Sequence, residues 1–340
     1  MRRRWIVLPV IALFAWSFIY FQNQQDAVKA AGTDYLLAGT DQASHKIMIF
    51  DPNDSNWNDA GSVVWEWAPT SANGFSGLTS AWGLPNEVRI RDNCIFGGQW
   101  MIVTDSYGLA AIVPYPAGNS KKWGLNVGGN PHSAELLPNG NIAIAASSGN
   151  WLRVYTSSQG PSSSTYAQYS LEGAHAALWD PERELLWSVG DYHLVALKIR
   201  GTNAAPTIQE YLKVELPPEY KDGVLRDKPS GHDLQPVYGN TDRLWVSTGM
   251  HVYQYIKSSN SFDLSYTGNA DINRPGVKSV GNQLSGQVVS TRPDYMKTPP
   301  GGCVLNAWCM DTAEFHNPND SRTRTGAAFY KVRVLSPNYQ

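Results

Sequence analysis

Three histidines, His132, His175 and His232, occur at the same place in a repeated sequence pattern, each ahead of two short apolar strands. When repeated sheet modules close into a ring, their equivalent positions converge on one axis, so we expect the three imidazoles to meet in space. Neutral imidazole nitrogen binds divalent first-row metals well. The repeat therefore predicts a metal site on the axis of a ring-shaped fold.

The remaining modules supply candidates for a fourth ligand. The equivalent position falls near Gln287 in the last module and near Asn86 and Glu87 in the second. A glutamine or glutamate oxygen would complete a site for a divalent cation such as Mn, Zn or Ca. The predicted ligands are His132, His175, His232 and Gln287. The structural alternative is that the histidines only hydrogen-bond neighbouring modules or water.

Charged residues accompany these candidate ligands. Arg89 and Arg91 flank the strand of Glu87, Asp233 follows His232, and Arg292 follows the Gln287 strand. Because arginine pairs bidentately with carboxylates, Arg91, Asp233 and Arg292 are predicted to bind an acidic saccharide or another small anion. Salt bridges at the edge of the fold are an equally good interpretation of each residue.

The rest of the chain predicts an all-β fold. Aromatic and β-branched residues are punctuated by 30 glycines and 21 prolines, which suits short strands joined by tight turns. Residues from about 35 onward divide into six units of roughly 51 residues, the size of a four-stranded propeller blade. The first unit lacks its inner strand and the last is expected to lack its outer one, as ring closure through shared blades requires. Six blades are predicted; five or seven stay open.

The N-terminus predicts export. Three arginines, Arg2 to Arg4, precede an apolar run over residues 5–21 and a polar stretch, which is the layout of a signal peptide. The two interpretations are a cleaved signal over residues 1–30 and an uncleaved membrane anchor, which would be the only contact with a membrane. Residues 31–340 are then one secreted or extracytoplasmic propeller domain. Cys303 and Cys309 could form a disulfide in such a compartment, and Cys94 would then be the remaining cysteine.

Several functional classes are disfavoured. A formal net charge of -2 gives no reason to expect a nucleic-acid partner. The sequence lacks a Gly-x-Ser-x-Gly nucleophile motif, a phosphate-binding glycine loop and a His-Glu-x-x-His zinc motif.

Three segments carry a resemblance to known families: residues 131–141, Gly173-Ala174-His175 and Ser230-Gly231-His232-Asp233. They resemble a family of exported β-propeller proteins known mainly as an uncharacterised domain. The histidine and glutamine set is also similar to that of propeller-type oligogalacturonate lyases, which hold a manganese ion in the channel. This second resemblance implies that His132, His175, His232 and Gln287 bind a metal, although the spacings, the blade number and the export signal differ.

The lyase resemblance implies a metal-dependent carbohydrate-active enzyme that cleaves uronate-containing saccharides by β-elimination. A metal on the uronate carboxylate would acidify the neighbouring C5 proton for a base to abstract. Arg89 and Tyr192 are named as candidate catalytic residues, and no motif supports either. The alternative is a non-catalytic propeller that binds glycan or protein, with structural histidines.

Overall fold

The protein is described here from a computed structural model that covers residues 34–92, 94–293, 303 and 307–340. Six four-stranded antiparallel sheets make up a six-bladed β-propeller, which confirms the predicted fold. The predicted export segment, residues 1–30, lies outside the described residues. Among the described residues, no helix is long and apolar enough to cross a membrane.

Blades 1 to 3 take up the first half of the described chain. Their strands, in chain order, are β1 (Leu37–Asp41), β2 (Lys46–Phe50), β3 (Val63–Trp67), β4 (Pro85–Arg91), β5 (Gln99–Asp105), β6 (Leu109–Tyr115), β7 (Trp123–Asn126), β8 (Pro131–Leu136), β9 (Ile142–Ala146), β10 (Trp151–Tyr155) and β11 (Tyr166–Ser170). Blade 2 is β4 to β7 and blade 3 is β8 to β11. Short 3-10 turns cover Thr79–Ala81 and Ser157–Gln159.

Blades 4 to 6 follow the same plan. Their strands are β12 (Ala176–Asp180), β13 (Leu185–Val189), β14 (His193–Gly201), β15 (Pro206–Glu215), β18 (Asp233–Pro236), β19 (Arg243–Ser247), β20 (Val252–Ile256), β21 (Ser261–Asp263), β22 (Ser279–Asn282), β23 (Val288–Thr291), β24 (Thr312–His316) and β25 (Asp320–Thr323). A hairpin of β16 (Tyr220–Lys221) and β17 (Val224–Leu225) separates blades 4 and 5, and the short helix α1 (Asn269–Ile272) precedes blade 6.

The ring closes through the last strand, β26 (Phe329–Val334), which pairs antiparallel with β1 and becomes the inner strand of blade 1. The prediction that the first unit lacks its own inner strand is therefore confirmed. The prediction for the last unit is wrong: blade 6 has its outer strand, β25, and the segment assigned to that blade is β26. Joining the chain ends in one sheet removes two exposed strand edges.

Burial falls from the inner to the outer strands. Every residue of inner strands β4 and β8 is buried, because these strands are covered by neighbouring blades on both faces. The outer strand β11 instead alternates between exposed and half-buried residues. Hydrophobic clusters fill the spaces between neighbouring blades, as with Phe50 stacked on Trp57 at a centroid distance of 4.2 Å. The inner strands are thus a rigid frame for any side chain that they direct into the channel.

Residues 335–340 run across one end of the channel. Arg91 donates hydrogen bonds to the carbonyls of Ser336 and Asn338, and the Tyr339 hydroxyl donates to the Leu136 carbonyl. Arg91 and Leu136 are the last residues of inner strands β4 and β8, whereas the histidines lie at the beginning of their inner strands. The two ends of the channel therefore differ, and the histidine end is the one without this segment.

Candidate functional site

The three histidines converge at one end of the channel. The ring centroids of His132 and His175 are 4.6 Å apart, and those of His175 and His232 are 5.2 Å apart. Tyr330 of β26 continues the series with its ring 5.5 Å from that of His132. The inner strands of blades 1, 3, 4 and 5 thus bring residues from distant parts of the sequence into a continuous aromatic arc.

A repeated backbone feature orients the imidazoles. The residue two positions before each histidine has a left-handed conformation, with φ of 58° at Asn130, 60° at Gly173 and 57° at Ser230. Asparagine and glycine adopt this region at low cost. The carbonyls of Asn130 and Gly173 then accept hydrogen bonds from Nδ1 of His132 (3.0 Å) and His175 (2.6 Å). Since a carbonyl only accepts, both rings carry their proton on Nδ1 and leave Nε2 with a free lone pair.

His232 has a different partner. The Lys278 amine lies 3.1 Å from Nε2 of His232, and an ammonium group can only donate, so Nε2 accepts and Nδ1 carries the proton. That Nδ1 atom is buried and has no hydrogen-bond partner among the described residues. The third imidazole therefore connects the histidine arc to a lysine that the sequence analysis did not identify.

Lys278, not Gln287, occupies the histidine position of blade 6. Its backbone N–H donates to the Thr291 carbonyl, just as His175 donates to Val189 and His232 to Ser247. Gly276, two residues earlier, has a φ of 81°, matching the left-handed residue before each histidine. Gln287 lies beyond the far end of β22, in the turn to β23. The predicted fourth ligand must therefore be corrected: Gln287 does not lie with the histidines.

Together these side chains enclose a cavity of about 350 Å³, which we call the histidine pocket. Turns between blade strands and residues at the starts of inner strands form its wall. The lining residues are Gln42, Leu84, Ser106, Tyr107, Asn130, His132, Ser147, His175, His232, Lys278, Trp308 and Tyr330. Three of them have a buried polar atom with no partner in the part of the chain that the structure describes, namely Gln42 Oε1, Asn130 Oδ1 and His232 Nδ1. Because buried polar groups are nearly always hydrogen-bonded, such a concentration marks a place where a ligand could bind.

Burial sets the protonation states in the pocket. It lowers the pKa of His132 and His232 well below the usual value and that of His175 to about 4, so all three imidazoles are neutral at pH 7. Burial, together with the charge of Lys331, lowers the pKa of Lys278 to about 8. Lys278 is 7% exposed and is mostly an ammonium at neutral pH. The pocket therefore holds one cation among neutral polar groups.

Directly beneath the histidine pocket lies a buried cluster of seven charged side chains, which we call the channel ion network. Its members are Glu87, Arg89, Arg91, Glu135, Asp233, Lys331 and Arg333. Arg333 binds Glu87 through two hydrogen bonds of 2.8 Å and Asp233 through bonds of 2.5 and 2.6 Å. Burial alone would raise the pKa of Glu87, but Arg333, Lys331 and Arg89 hold it well below its usual value.

The ion network contains three of the predicted site residues. Arg91 makes a bidentate pair with Glu135 (2.8 and 2.9 Å), Asp233 pairs with Arg333, and Arg89 donates to the Gln235 side chain at 3.1 Å. All three are buried and none of them lines the histidine pocket. Direct contact with a ligand in the pocket, as predicted for Arg91 and Asp233, and catalysis by Arg89 do not fit this placement.

The other two predicted residues lie outside the channel. Tyr192 lines a separate cavity of about 410 Å³ between the turn before β14 and the β16–β17 hairpin. Arg292 lies at the histidine end of blade 6 but one strand further out, with its guanidinium 3.9 Å from the Glu314 carboxylate. Neither residue is brought to the histidines.

A family match covers residues 19–296 of the sequence, which is most of the propeller, and its description is a family of unknown function, DUF6528. The chain belongs to the DUF6528 family. A search of curated proteins finds no match to the sequence.

Solved structures show what this DUF6528 protein is similar to in fold. A protein of unknown function from Bacteroides caccae has a TM-score of 0.50 and 12% identity, over 78% of this chain and 85% of that chain. Streptogramin B lyase has a TM-score of 0.44 and 14% identity, over 73% and 72% of the two chains. An inactive virginiamycin B lyase from Staphylococcus aureus, with quinupristin, has a TM-score of 0.44 and 11% identity, over 83% and 77%. At such identities these similarities concern the fold alone.

Within the described part of this DUF6528 chain, no group of three or more His, Cys, Asp or Glu side chains has the arrangement of a metal site. The side chain beside His232 is moreover a lysine and not a carboxylate. Lys278 and Tyr330 are among the pocket residues that the sequence did not predict. Gly276-Val277-Lys278 matches Gly173-Ala174-His175 in its glycine, and that spacing was a usable signal for Lys278.

Proposed function

We propose that the histidine pocket binds a small hydroxylated carboxylic acid, with an acidic saccharide as the ligand class, and that the ligand carboxylate pairs with Lys278. One observation carries the proposal: Lys278 is a buried ammonium group with no acidic partner among the described residues. A buried charge is costly unless it is paired, so an anionic ligand at this position would satisfy it.

The charge balance of the channel supports an anionic ligand. The ion network contains four cations (Arg89, Arg91, Lys331 and Arg333) and three carboxylates (Glu87, Glu135 and Asp233). With Lys278 the channel has five positive and three negative groups, a net charge of +2. Because these side chains are buried in surroundings of low dielectric, this excess attracts an anion more strongly than the same charges would at the surface.

The neutral groups of the pocket support a ligand rich in hydroxyls. The free Nε2 lone pairs of His132 and His175 accept hydrogen bonds, and so do Gln42 Oε1 and Asn130 Oδ1. The unpaired Nδ1–H of His232 donates. A sugar hydroxyl both donates and accepts, so it can satisfy either kind of group. A purely apolar acid would leave these atoms unpaired at a cost of about 1–3 kcal/mol each.

Calorimetric titration of the purified protein with D-galacturonate and D-glucuronate, against the neutral sugars D-galactose and D-glucose, tests this proposal. We expect the two acids to bind and the neutral sugars to bind at least tenfold more weakly. The His132→Ala/His175→Ala double variant should lose acid binding while keeping the fold, judged by circular dichroism. Equal affinity for acids and neutral sugars, or no binding of any of them, would overturn the proposal.

A second candidate is metal-assisted β-elimination of a uronate, and one observation favours it. Metal-binding histidines usually donate their second ring N–H to a carbonyl, and the Nδ1 atoms of His132 and His175 do so. Because the described residues contain no ready three-ligand group, Nε2 of His132, His175 and His232 would hold a first-row metal only after the rings move. A bound cation would neutralise the uronate carboxylate and acidify the neighbouring C–H. Lys278 would also have to release His232.

Metal analysis separates the two candidates. Stoichiometric metal in the purified protein, lost in the His132→Ala/His175→Ala variant, together with release of unsaturated product from oligogalacturonate, supports elimination. Protein that contains no metal, gains none on dialysis against Mn²⁺ or Zn²⁺ and still binds galacturonate supports binding alone.

We propose further that the protein acts outside the cytoplasm. Besides the export layout of residues 1–30, the structure contains a disulfide between Cys303 and Cys309, with Cα atoms 6.0 Å apart. Disulfides form and persist mainly in oxidising compartments. Fractionation of cells that express the full-length chain should find it beyond the cytoplasmic membrane, and recovery from the cytoplasm would refute this.

A further inference from the structure

Two large aromatic side chains that line the histidine pocket are strongly exposed to solvent. Tyr107 is 56% exposed and Trp308 is 41% exposed, and both line the pocket. Among the described residues, neither ring stacks on another aromatic ring or on a cation. The other large exposed hydrophobic side chains of the described chain do not line this pocket. We call Tyr107 and Trp308 the outer aromatic pair.

Tyr107 is held in place by its turn. The buried Asp105 carboxylate accepts hydrogen bonds from the backbone N–H of Tyr107 and from that of Gly83, both at 2.8 Å. The tyrosine ring lies directly on Gly83, where an added Cβ would be 2.5 Å from the ring. Only glycine leaves room for the ring in this position. The turn therefore holds the Tyr107 backbone, and the ring lies over Gly83 beside the pocket.

Trp308 is held by a covalent constraint. It directly precedes Cys309, which is buried and joined to Cys303. Met310, the next residue but one, forms a backbone bridge with Phe329, at the start of the strand that contains Tyr330. An exposed tryptophan is thus anchored to the inner strand of blade 1, next to the histidine arc.

We propose that Tyr107 and Trp308 form an outer stacking subsite that receives a second sugar ring when the first ring's carboxylate is bound at Lys278. This inference rests on the proposed function and narrows the ligand class to acidic oligosaccharides of two or more residues. The cavity of about 350 Å³ is at the small end of ligand pockets, so a longer ligand must extend out past these two rings. A sugar ring has an apolar C–H face, and covering it with an aromatic ring removes apolar surface from water on both partners.

Titration with D-galacturonate and with tri-galacturonate, on the wild type and on Tyr107→Ala and Trp308→Ala variants, tests the outer subsite. The wild type should bind the trimer about tenfold more tightly than the monomer. Each variant should lose roughly threefold to tenfold in trimer affinity and keep its monomer affinity within about twofold. Trp308→Phe should retain most of the trimer affinity, and Tyr211→Ala, at an exposed aromatic residue on an outer strand, should change neither.

The outcomes separate this inference from the proposed function. Unchanged trimer affinity in both variants, with monomer binding intact, overturns the outer subsite alone. An equal loss of monomer and trimer affinity also overturns it, because the rings would then support the inner pocket. Absence of monomer and trimer binding in the wild type removes the proposed function and this inference with it.

Discussion

The histidine pocket and the channel ion network are adjacent layers of the same six inner strands, yet they treat polar groups in opposite ways. In the network, Arg333 alone satisfies two carboxylates through four short hydrogen bonds. In the pocket, neither Lys278 nor three buried polar atoms find a complementary partner among the described residues, since Lys278 has no acidic neighbour and the three atoms have no hydrogen bond.

The comparison indicates which layer serves the fold and which serves a ligand. Paired charges hold the inner strands together, whereas unpaired groups are a cost that folding alone does not explain. The separation is not complete, since Nε of Arg89 in the network and Nε2 of the neighbouring Gln235 also have no partner among the described residues. Charged residues next to a candidate site are therefore poor guides to its ligand until their pairing is known, as Arg89, Arg91 and Asp233 illustrate.

The largest effect is expected from breaking the network. An Arg333→Met substitution leaves Glu87 and Asp233 buried with Lys331 as their nearest remaining cation. We expect the free energy of unfolding to fall by about 4 kcal/mol, as when one partner of a buried pair is removed. Urea denaturation measures this. The control is Lys46→Met, which breaks the exposed Lys46–Glu66 pair and should cost less than about 1 kcal/mol. A loss in Arg333→Met no larger than in the control would contradict a structural role for the network.

As the pH falls, protonation should destabilise the histidine pocket before it destabilises the channel ion network. Burial lowers the pKa of all three histidines, so the unfolded chain takes up more protons than the folded one as the pH falls below about 6.5. Asp105 opposes this, because burial raises its pKa to about 6 and its proton uptake favours the folded state. The free energy of unfolding should be roughly 3 kcal/mol lower at pH 5 than at pH 7.

Urea denaturation across this pH range, on the wild type and on His132→Gln/His175→Gln, checks the acid effect. The double variant should show a flatter profile, since two of the three pocket imidazoles are gone, while His193 and His316, whose pKa burial also lowers, remain. An equally steep profile in both proteins would assign the acid sensitivity to other groups.

A smaller expected effect, on the pH dependence of galacturonate affinity, tests the role of Lys278. Its pKa of about 8 means that the ammonium group is lost as the pH rises further, while a bound carboxylate stays ionised. Galacturonate affinity should therefore fall by about tenfold per pH unit above pH 8. A Lys278→Arg variant stays charged and, where it binds, should show no such decline. Constant affinity of the wild type up to pH 9.5 would mean that Lys278 does not contact the anion.

Much of the fold could be predicted because the sequence repeat specifies the blades. Short apolar strands at a regular interval specify blades, and a histidine at one position of three blades specified that His132, His175 and His232 would meet. Ring closure was predicted from the missing inner strand of the first unit. The error at the last unit arose because β26 looks like another strand of blade 6 when read in chain order.

The residue beside the three imidazoles, Lys278, was harder to predict. A search for metal ligands favours Gln287 over a lysine, and the short strand β22 is interrupted by glycine, which hides the start of blade 6. Tyr330 enters the pocket only because the chain end returns to blade 1. Whether Arg91 or Asp233 pairs within the protein or contacts a ligand depends on the distances between blades. Those distances cannot be read from the spacing of residues along the sequence.

The most direct test is a Lys278→Met variant, with galacturonate affinity and the free energy of unfolding measured on the same preparation. If Lys278 serves a ligand, affinity should fall at least tenfold while stability stays unchanged or rises, because an unpaired buried charge has been removed. The control Lys198→Met, at a lysine that lies over the Tyr211 ring on an outer face, should change neither quantity appreciably. Retained affinity, or a loss of stability as large as that of Arg333→Met, would contradict the account.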